Sequence, residues 1–297
     1  MYHYIMYGKK IYTDLHFRQL VPIEPVTMEE ANVVILEGKV SEEIKKGEKE
    51  LPFSFGKEHS YLCNKTMWYE VFDGRRIVYE RKEGANEEYV RTYLLGFGLS
   101  FLLLQRGELV IHCSAVSKDG KAYLVAGESG SGKSTITKVL LDNGFTLMGD
   151  DTALVKMDEN QVPMVYPAFP YQKLCRDIVD EKGLNVEELI LVDEEKDKYL
   201  VPYDGKFSIE PVPFCGLFCL AVGNVENCRM EAVSGVDKMQ LLARNVFAGR
   251  LLRKKFLTPE IGFECFRIIG NVPVHMIIRP KVGDSTDEIW RYIQGNL

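Results

Sequence analysis

The 297-residue chain has no C-x-x-C pair, no low-complexity tract, no repeat period, no surplus of basic charge and no long unbroken apolar run. Each absence removes a class of protein. Seven cysteines (Cys63, Cys113, Cys175, Cys215, Cys219, Cys228, Cys265) are odd in number and scattered, which is thiol usage of a reducing compartment rather than of a disulfide framework. Residues 1–5 lack the basic and apolar regions of a signal peptide, so a cytoplasmic location is expected. The longest apolar stretch, residues 93–104, is interrupted by Gly96, Gly98 and Ser100. It falls short of the roughly 20 residues needed to cross a bilayer, and a buried helix is the better reading. A formal net charge of -6 excludes a general nucleic-acid binder, whose footprint is basic. Composition is 46% hydrophobic and 27% charged, which indicates neither disorder nor a solenoid.

What is present is one sharply defined string. Gly127-Glu128-Ser129-Gly130-Ser131-Gly132-Lys133-Ser134-Thr135 fits the G-x-x-x-x-G-K-[ST] phosphate-binding pattern at every position. Glycines let successive backbone N–H groups converge on phosphates, Lys133 reaches the β and γ phosphates, and the Ser134 hydroxyl can ligate Mg²⁺. An apolar strand-like run, residues 122–126, precedes the string, and a helical pattern from Ser134 to Leu141 follows, stopped by Asn143-Gly144. The loop is therefore expected at a helix N-terminus, where the helix dipole favours phosphate. Nucleoside triphosphate binding through Gly127, Ser129, Gly130, Ser131, Gly132, Lys133, Ser134 and Thr135 follows as the expectation.

The chain suits one large domain or two ordinary ones. Residues 1–85 read as short strands, with hairpins about Gly8-Lys9-Lys10 and Asp73-Gly74-Arg75 and a further strand at residues 32–36. From Asn86 the pattern turns helical through Gln105, and Gly107 ends it. A boundary is placed there, giving an N-terminal strand-rich (α+β) domain, 1–85, and a catalytic domain, 86–297. Beyond residue 108, strand and helix alternate, favouring an α/β core. Pro163, Pro167 and Pro170 suggest a loop, as do Pro202, Pro211 and Pro213. Residues 214–222 read as a buried strand, 236–256 as an amphipathic helix, and 272–278 with 288–293 as a closing strand and helix.

Phosphoryl transfer also needs a carboxylate for Mg²⁺ and a group to orient or deprotonate the acceptor. Two segments compete. Leu189-Ile190-Leu191-Val192-Asp193-Glu194 has the outward form of a Walker B strand but lies in an acidic, surface-like run. Asp150-Asp151 follows the short strand 145–148, only 17 residues after Lys133, and adjacent acids at a strand end point in different directions, so one can serve a metal while the other meets a hydroxyl. This pair is preferred. His112 is a third candidate, at a strand end one hairpin upstream of the loop. A His among apolar residues is as often a core residue as a functional one.

Taken together, Leu109-x-Ile111-His112-Cys113-Ser114-Ala115-Val116, the Asp119-Gly120-Lys121 turn, the phosphate loop and the segment Gly144 to Asp151 resemble the catalytic core of the HPr kinase/phosphorylase family and its smaller relatives. The resemblance covers residues 109–155 most specifically. It implies a P-loop kinase core of the type shared with phosphoenolpyruvate carboxykinase, using ATP and Mg²⁺ to phosphorylate a serine of a protein or peptide. Lys133 would bind phosphates. One of Asp150 and Asp151 would be the base and the other a metal contact beside Ser134, with Asp151 preferred as that contact, and His112 would assist near the γ-phosphate. The Glu-Ile-Arg-Gly-Leu-Gly type of signature of true HPr kinase/phosphorylases is absent, and the chain is more similar to HPr-kinase-like proteins such as lasso-peptide precursor kinases. There Lys173, Arg176 and Lys198 have loose counterparts as phosphate or substrate contacts. The basic cluster Arg250, Arg253, Lys254, Lys255 could attract an acidic peptide or simply be exposed.

The expectation is thus a cytoplasmic Mg·ATP-dependent kinase acting on a Ser or Thr hydroxyl of a protein or ribosomal peptide, with no nucleic-acid or membrane partner and with self-association left open. The alternatives are a kinase for a small molecule such as free serine, and an ATP-binding regulatory module that transfers nothing.

Overall fold

Alternation of buried and exposed residues along the first 13 positions makes a hairpin of β1 (Tyr2–Met6) and β2 (Lys9–Thr13). Its turn is Tyr7-Gly8, both at positive φ (56° and 66°), with Met6 opposite Lys9. That two-residue geometry matches strand twist, which is why Lys9 and Lys10, expected in the turn, are strand residues. The computed structural model describes residues 1–193, 197–252 and 259–297. Its internal contacts divide the chain into two units, residues 1–108 with 169–202, and residues 109–168 with 203–297.

In the first unit β3 (Val21–Pro22), β4 (Val33–Glu37), β5 (Phe53–Ser54), β6 (His59–Cys63), β7 (Met67–Phe72) and β8 (Arg76–Arg81) join the hairpin in one sheet, ordered β3-β1-β2-β4-β8-β7-β6-β5. A short helix, α1 (Glu42–Gly47), follows β4. The helix expected from Asn86 starts there: the Asn86 side chain accepts from the N–H groups of Glu88 and Tyr89. It runs as α2 (Glu87–Tyr93), a wide π-turn over residues 94–98 and α3 (Leu99–Gln105). Gly96 and Gly98, poor helix formers, sit in the widened turn. Gln105 anchors this helix to the sheet, donating to the Gly56 and Val71 carbonyls and to Ser60 Oγ, and accepting from Gly74 N–H. The division by internal contacts falls after residue 108.

Residues 169–202 add a three-stranded antiparallel sheet of β15 (Tyr171–Cys175), β17 (Lys198–Pro202) and β16 (Ile190–Asp193), in that order, with α5 (Arg176–Glu181). Leu174, Val179, Tyr199 and Val201 form its core, and β16 packs beside α2.

The second unit is a mixed sheet. Its strands are β9 (Leu109–Ile111), β10 (Cys113–Lys118), β11 (Lys121–Gly127), β12 (Thr146–Gly149), β13 (Ala153–Met157), β14 (Pro163–Tyr166), β18 (Val212–Gly223), β19 (Arg229–Val233) and β20 (Val274–Pro280). The main path is β12-β10-β11-β18-β14-β13-β9, with β20 beside β18 and β19 outside β20. β11, β18 and β20 run parallel, whereas β10 is antiparallel to both β11 and β12. Pro163, expected in a loop, opens β14, a position where a strand loses little from a missing N–H.

Against this sheet lie α4 (Lys133–Asp142) and α9 (Thr286–Gln294); Ile136 and Leu140 from the first and Ile289 and Ile293 from the second close over Val125, Phe218, Leu220 and Ile277. The amphipathic stretch from Val236 is two helices, α6 (Val236–Arg244) and α7 (Gly249–Leu252), with 253–256 outside the described residues; α8 (Pro259–Ile269) packs on α6. The protein is thus mixed α/β with several sheets. Among the described residues no helix is long and apolar enough to cross a membrane.

Candidate active site

Strand β10 assembles the candidate site. Cys113 pairs with Ala126 on one neighbour and Ala115 with Gly149 on the other. His112, one residue before β10, Gly127, ending β11, and Asp150, one residue past β12, therefore reach the same edge of the sheet. All three lie in the second unit.

The loop from Gly127 to Gly132 joins β11 to α4, as the motif requires. Gly127 adopts φ +147°, and a Cβ there would stand 2.3 Å from the Leu220 carbonyl of β18; only glycine lets the chain pass so close. Gly132, at φ +103°, is the N-cap of α4 and has no side chain to bond the first-turn N–H groups. A helix start without a side-chain cap leaves its amides for an anion. Ser131 Oγ is buried and has no hydrogen-bond partner among the described residues. Lys133 Nζ donates to the carbonyls of Gly127 (2.7 Å) and Glu128 (3.2 Å), which holds the ammonium over the loop. Ser134 is half-buried in the first turn, while Ser129 and Thr135 are exposed. Glycine-permitted turns, an uncapped helix start and a lysine at the mouth fit a phosphate chain.

A second cation braces the loop from outside. Arg279, near the end of β20, donates from Nε to the Ser131 carbonyl and from Nη2 to the Gly130 carbonyl, both at 2.9 Å. Tying down these two carbonyls limits the ways the loop can rotate its peptides.

Asp150 is 7% exposed, and its Oδ1 accepts a 2.7 Å hydrogen bond from Ser114 Oγ. Gly149 before it has no room for a side chain, since a Cβ would stand 2.8 Å from the Thr152 carbonyl and 3.0 Å from Ala168. Asp151 has φ +76°, a left-handed conformation tolerated by Asp better than by most residues. His112 Nδ1 lies 3.0 Å from the Asp151 carbonyl and 3.4 Å from its Oδ1. A carbonyl oxygen only accepts, so Nδ1 carries a proton, and in the neutral ring Nε2 is the bare nitrogen. The His112 main-chain N–H donates to Asn245 O, which fixes the residue from the other side. Cys113, fully buried between these groups, is no nucleophile: burial pushes its thiol far up, Asp150 and Asp151 push it further, and Lys133 only partly opposes them.

Among the described residues no group of three or more His, Cys, Asp and Glu side chains is arranged to hold a metal. Mg²⁺ is ordinarily bound by one or two carboxylates together with substrate phosphates and water, and a hydroxyl at Ser134 with a carboxylate at Asp150 or Asp151 is a donor set of that kind.

Other sequence candidates belong to the first unit or fall outside the described side chains. Asp193 ends β16 in the three-stranded sheet of the first unit, and Glu194 is outside the described residues. Lys173, Arg176 and Lys198 belong to that same unit, where Arg176 pairs with Asp180 at 2.8 Å. Arg253, Lys254 and Lys255, like the Arg250 side chain, fall outside the description. Two residues were not anticipated: Ser114, two positions beyond His112, and Arg279, at the carboxyl end of a parallel strand, where α/β sheets gather ligands.

No protein-family profile matches the chain, and no curated protein does. Among solved structures it is similar to the Hpr(Ser) kinase/phosphatase from Coxiella burnetii, at 14% sequence identity and a TM-score of 0.33, over 63% of this chain and 94% of that one. At that score the likeness is distant.

Proposed function

We propose that the protein is a Mg·ATP-dependent kinase that transfers the γ-phosphoryl group to a Ser or Thr hydroxyl of a protein or peptide. The observation that carries this reading is the convergence of His112, the 127–135 loop and Asp150-Asp151 on one sheet edge through the two pairings of β10. A nucleotide-binding loop alone would need no buried carboxylate beside it. Asp150 is buried and accepts a hydrogen bond from Ser114 Oγ, which supports its role as the base.

In this reading the loop amides and Lys133 hold the triphosphate, with Arg279 keeping the loop's carbonyls turned away from it. Bound Mg²⁺ would neutralise phosphate charge, held by Ser134 and Asp151. Asp150 takes the proton from the acceptor hydroxyl as the new O–P bond forms; the bond from the γ-phosphorus to the bridging oxygen breaks and ADP departs. His112, held at Nδ1 by Asp151, would assist as the imidazolium, whose Nε2–H can donate to oxygens of the transferring group. Positioning and charge neutralisation supply most of the rate in such reactions.

The test is transfer itself. Protein incubated with ATP, Mg²⁺ and Ser- or Thr-bearing peptides should add the mass of one phosphate to a peptide. Asp150→Asn should lower turnover by about 10²–10⁴-fold while nucleotide still binds, and Lys133→Ala should weaken both. Transfer unaffected by either substitution would remove the site from the reaction. Labelling of free serine in preference to peptides would reassign the acceptor, and binding without transfer would make the protein a nucleotide-responsive module.

A further inference from the structure

A cavity of about 310 Å³ opens beside the loop on the side away from the acids. It is lined by Ser131, Gly132, Thr135 and Ile136 from the loop and α4, by Arg279 from β20, and by Gly283, Asp284, Ser285, Thr286 and Ile289 from the turn into α9. Neither Asp150, Asp151 nor His112 contributes to it. Its size is at the lower end of small-molecule clefts, roughly 300–1,000 Å³.

The direction of a bound triphosphate follows from the loop. Lys133 serves the terminal phosphates, so these face the acids, and the innermost phosphate lies toward the first turn of α4. Whatever is attached to it must leave past Thr135, into this cavity. From these placements we infer that the cavity is the nucleoside subsite, holding ribose and base against Arg279 and the 283–286 turn, over a floor closed by the buried Ile136 and Ile289. This rests on the loop's binding a nucleoside triphosphate.

The lining suits a base. The guanidinium of Arg279 favours a flat π system by attraction to the ring face, above a floor closed by the core residues Ile136 and Ile289. Asp284 is a rim acceptor for an exocyclic amino group. Its carboxyl is held below the usual carboxylate range by the Thr286 hydroxyl and by the Thr286 N–H, which donates to Oδ1 at 2.9 Å, so it is the ionised, accepting form that faces a ligand. The Ser285 and Thr286 hydroxyls offer partners for a ribose.

Arg279 has a double place. It lines the cavity and also holds the Gly130 and Ser131 carbonyls. It is a positioning residue for the loop as well as a wall of the subsite, so its loss should weaken any phosphate ligand, whereas loss of space in the turn should weaken only ligands that carry a nucleoside.

Calorimetric titration with Mg·ATP and with Mg·tripolyphosphate separates these effects. Ser285→Trp, which fills the cavity, should weaken ATP by about tenfold or more while tripolyphosphate stays within about twofold; Arg279→Gln should weaken both. Independently of any substitution, photolysis of unaltered protein with 8-azido-ATP should label residues 279–289, and excess ATP should prevent it. Equal weakening of both ligands by Ser285→Trp, or label confined to another segment, overturns the subsite. Failure of both ligands to bind unaltered protein overturns instead the loop assignment beneath it.

Discussion

Gln105 in the first unit and Asp150 in the second are buried alike, at 8% and 7% exposure, and both meet a serine hydroxyl. Their consequences differ. The Gln105 amide is neutral and closes its bonds on the carbonyls of Gly56 and Val71, Ser60 Oγ and the Gly74 N–H, so it pins a helix to a sheet. A carboxylate at the same depth carries a charge, which a protein interior accepts only against a cation or a proton. The backbone offers a parallel contrast, within and across the units. Tyr7 and Asp119 take positive φ inside two-residue hairpin turns, where strand twist demands it, but Asp151 takes it at a strand end that turns no hairpin. The neutral Gln105 amide and the Tyr7 and Asp119 turns close local structure, whereas Asp150 and Asp151 set a buried carboxylate and a left-handed residue side by side at the candidate site.

The comparison can be broken first at Gln105. Gln105→Ala should destabilise the protein by about 3 kcal/mol, because several buried groups lose partners together, with turnover per folded molecule unchanged. Chemical denaturation alongside an activity assay decides it, and a stable Gln105→Ala protein would mean that the amide network is incidental. A smaller change sharpens the backbone contrast. Asp151→Gly and Asp119→Gly should each move stability by less than about 1 kcal/mol, relief of φ offsetting the flexibility glycine adds to the unfolded chain. Only Asp151→Gly should reduce phosphate transfer; equal activity in the two variants would deny Asp151 a special place.

The smallest effect concerns pH. Burial alone would raise the Glu80 carboxyl, yet bonds from Lys45, the Val40 N–H and Lys39 outweigh it and hold the group at about 2, below its ordinary 4.5. A value lowered on folding means that its stabilisation is complete above the ordinary range and fades as pH falls from 4.5 toward about 2. Lys45→Met should flatten the stability curve across that interval, by under about 1 kcal/mol given how close the group lies to water. An unchanged acid limb would show that Lys45 does not set it.

Local chemistry was readable in the sequence. The loop string, the hairpin about Asp73-Gly74-Arg75, the helix start at Asn86 and the stop at Gly107 depend on neighbours within a few residues, and the structure places each where the pattern does, while the first hairpin turns at Tyr7-Gly8 instead of Gly8-Lys9-Lys10. What escaped depends on distant pairing. Arg279 meets Ser131 across 148 residues and Ser114 meets Asp150 across 36, and no periodicity encodes either. Pro163 misled because its meaning turns on which strand edge it occupies. The Walker-B-like segment beginning at Leu189 forms β16 (Ile190–Asp193) in the three-stranded sheet, a membership that an apolar run ending in acids does not reveal. His112, the loop and Asp150-Asp151 were separable as segments; their meeting belongs to the antiparallel β10 between β11 and β12.

The excursion of residues 169–202 into the first unit has a consequence for how the chain is made. During synthesis the first 108 residues emerge without their three-stranded sheet, and residues 109–168 follow before the missing strands appear. The first unit is therefore completed only after much of the second has left the ribosome, and a fragment ending at residue 108 would leave the face of α2 that receives β16 uncovered. The two units are interleaved in time as well as in sequence, so neither can be inherited, cut out or exchanged as one continuous stretch of chain.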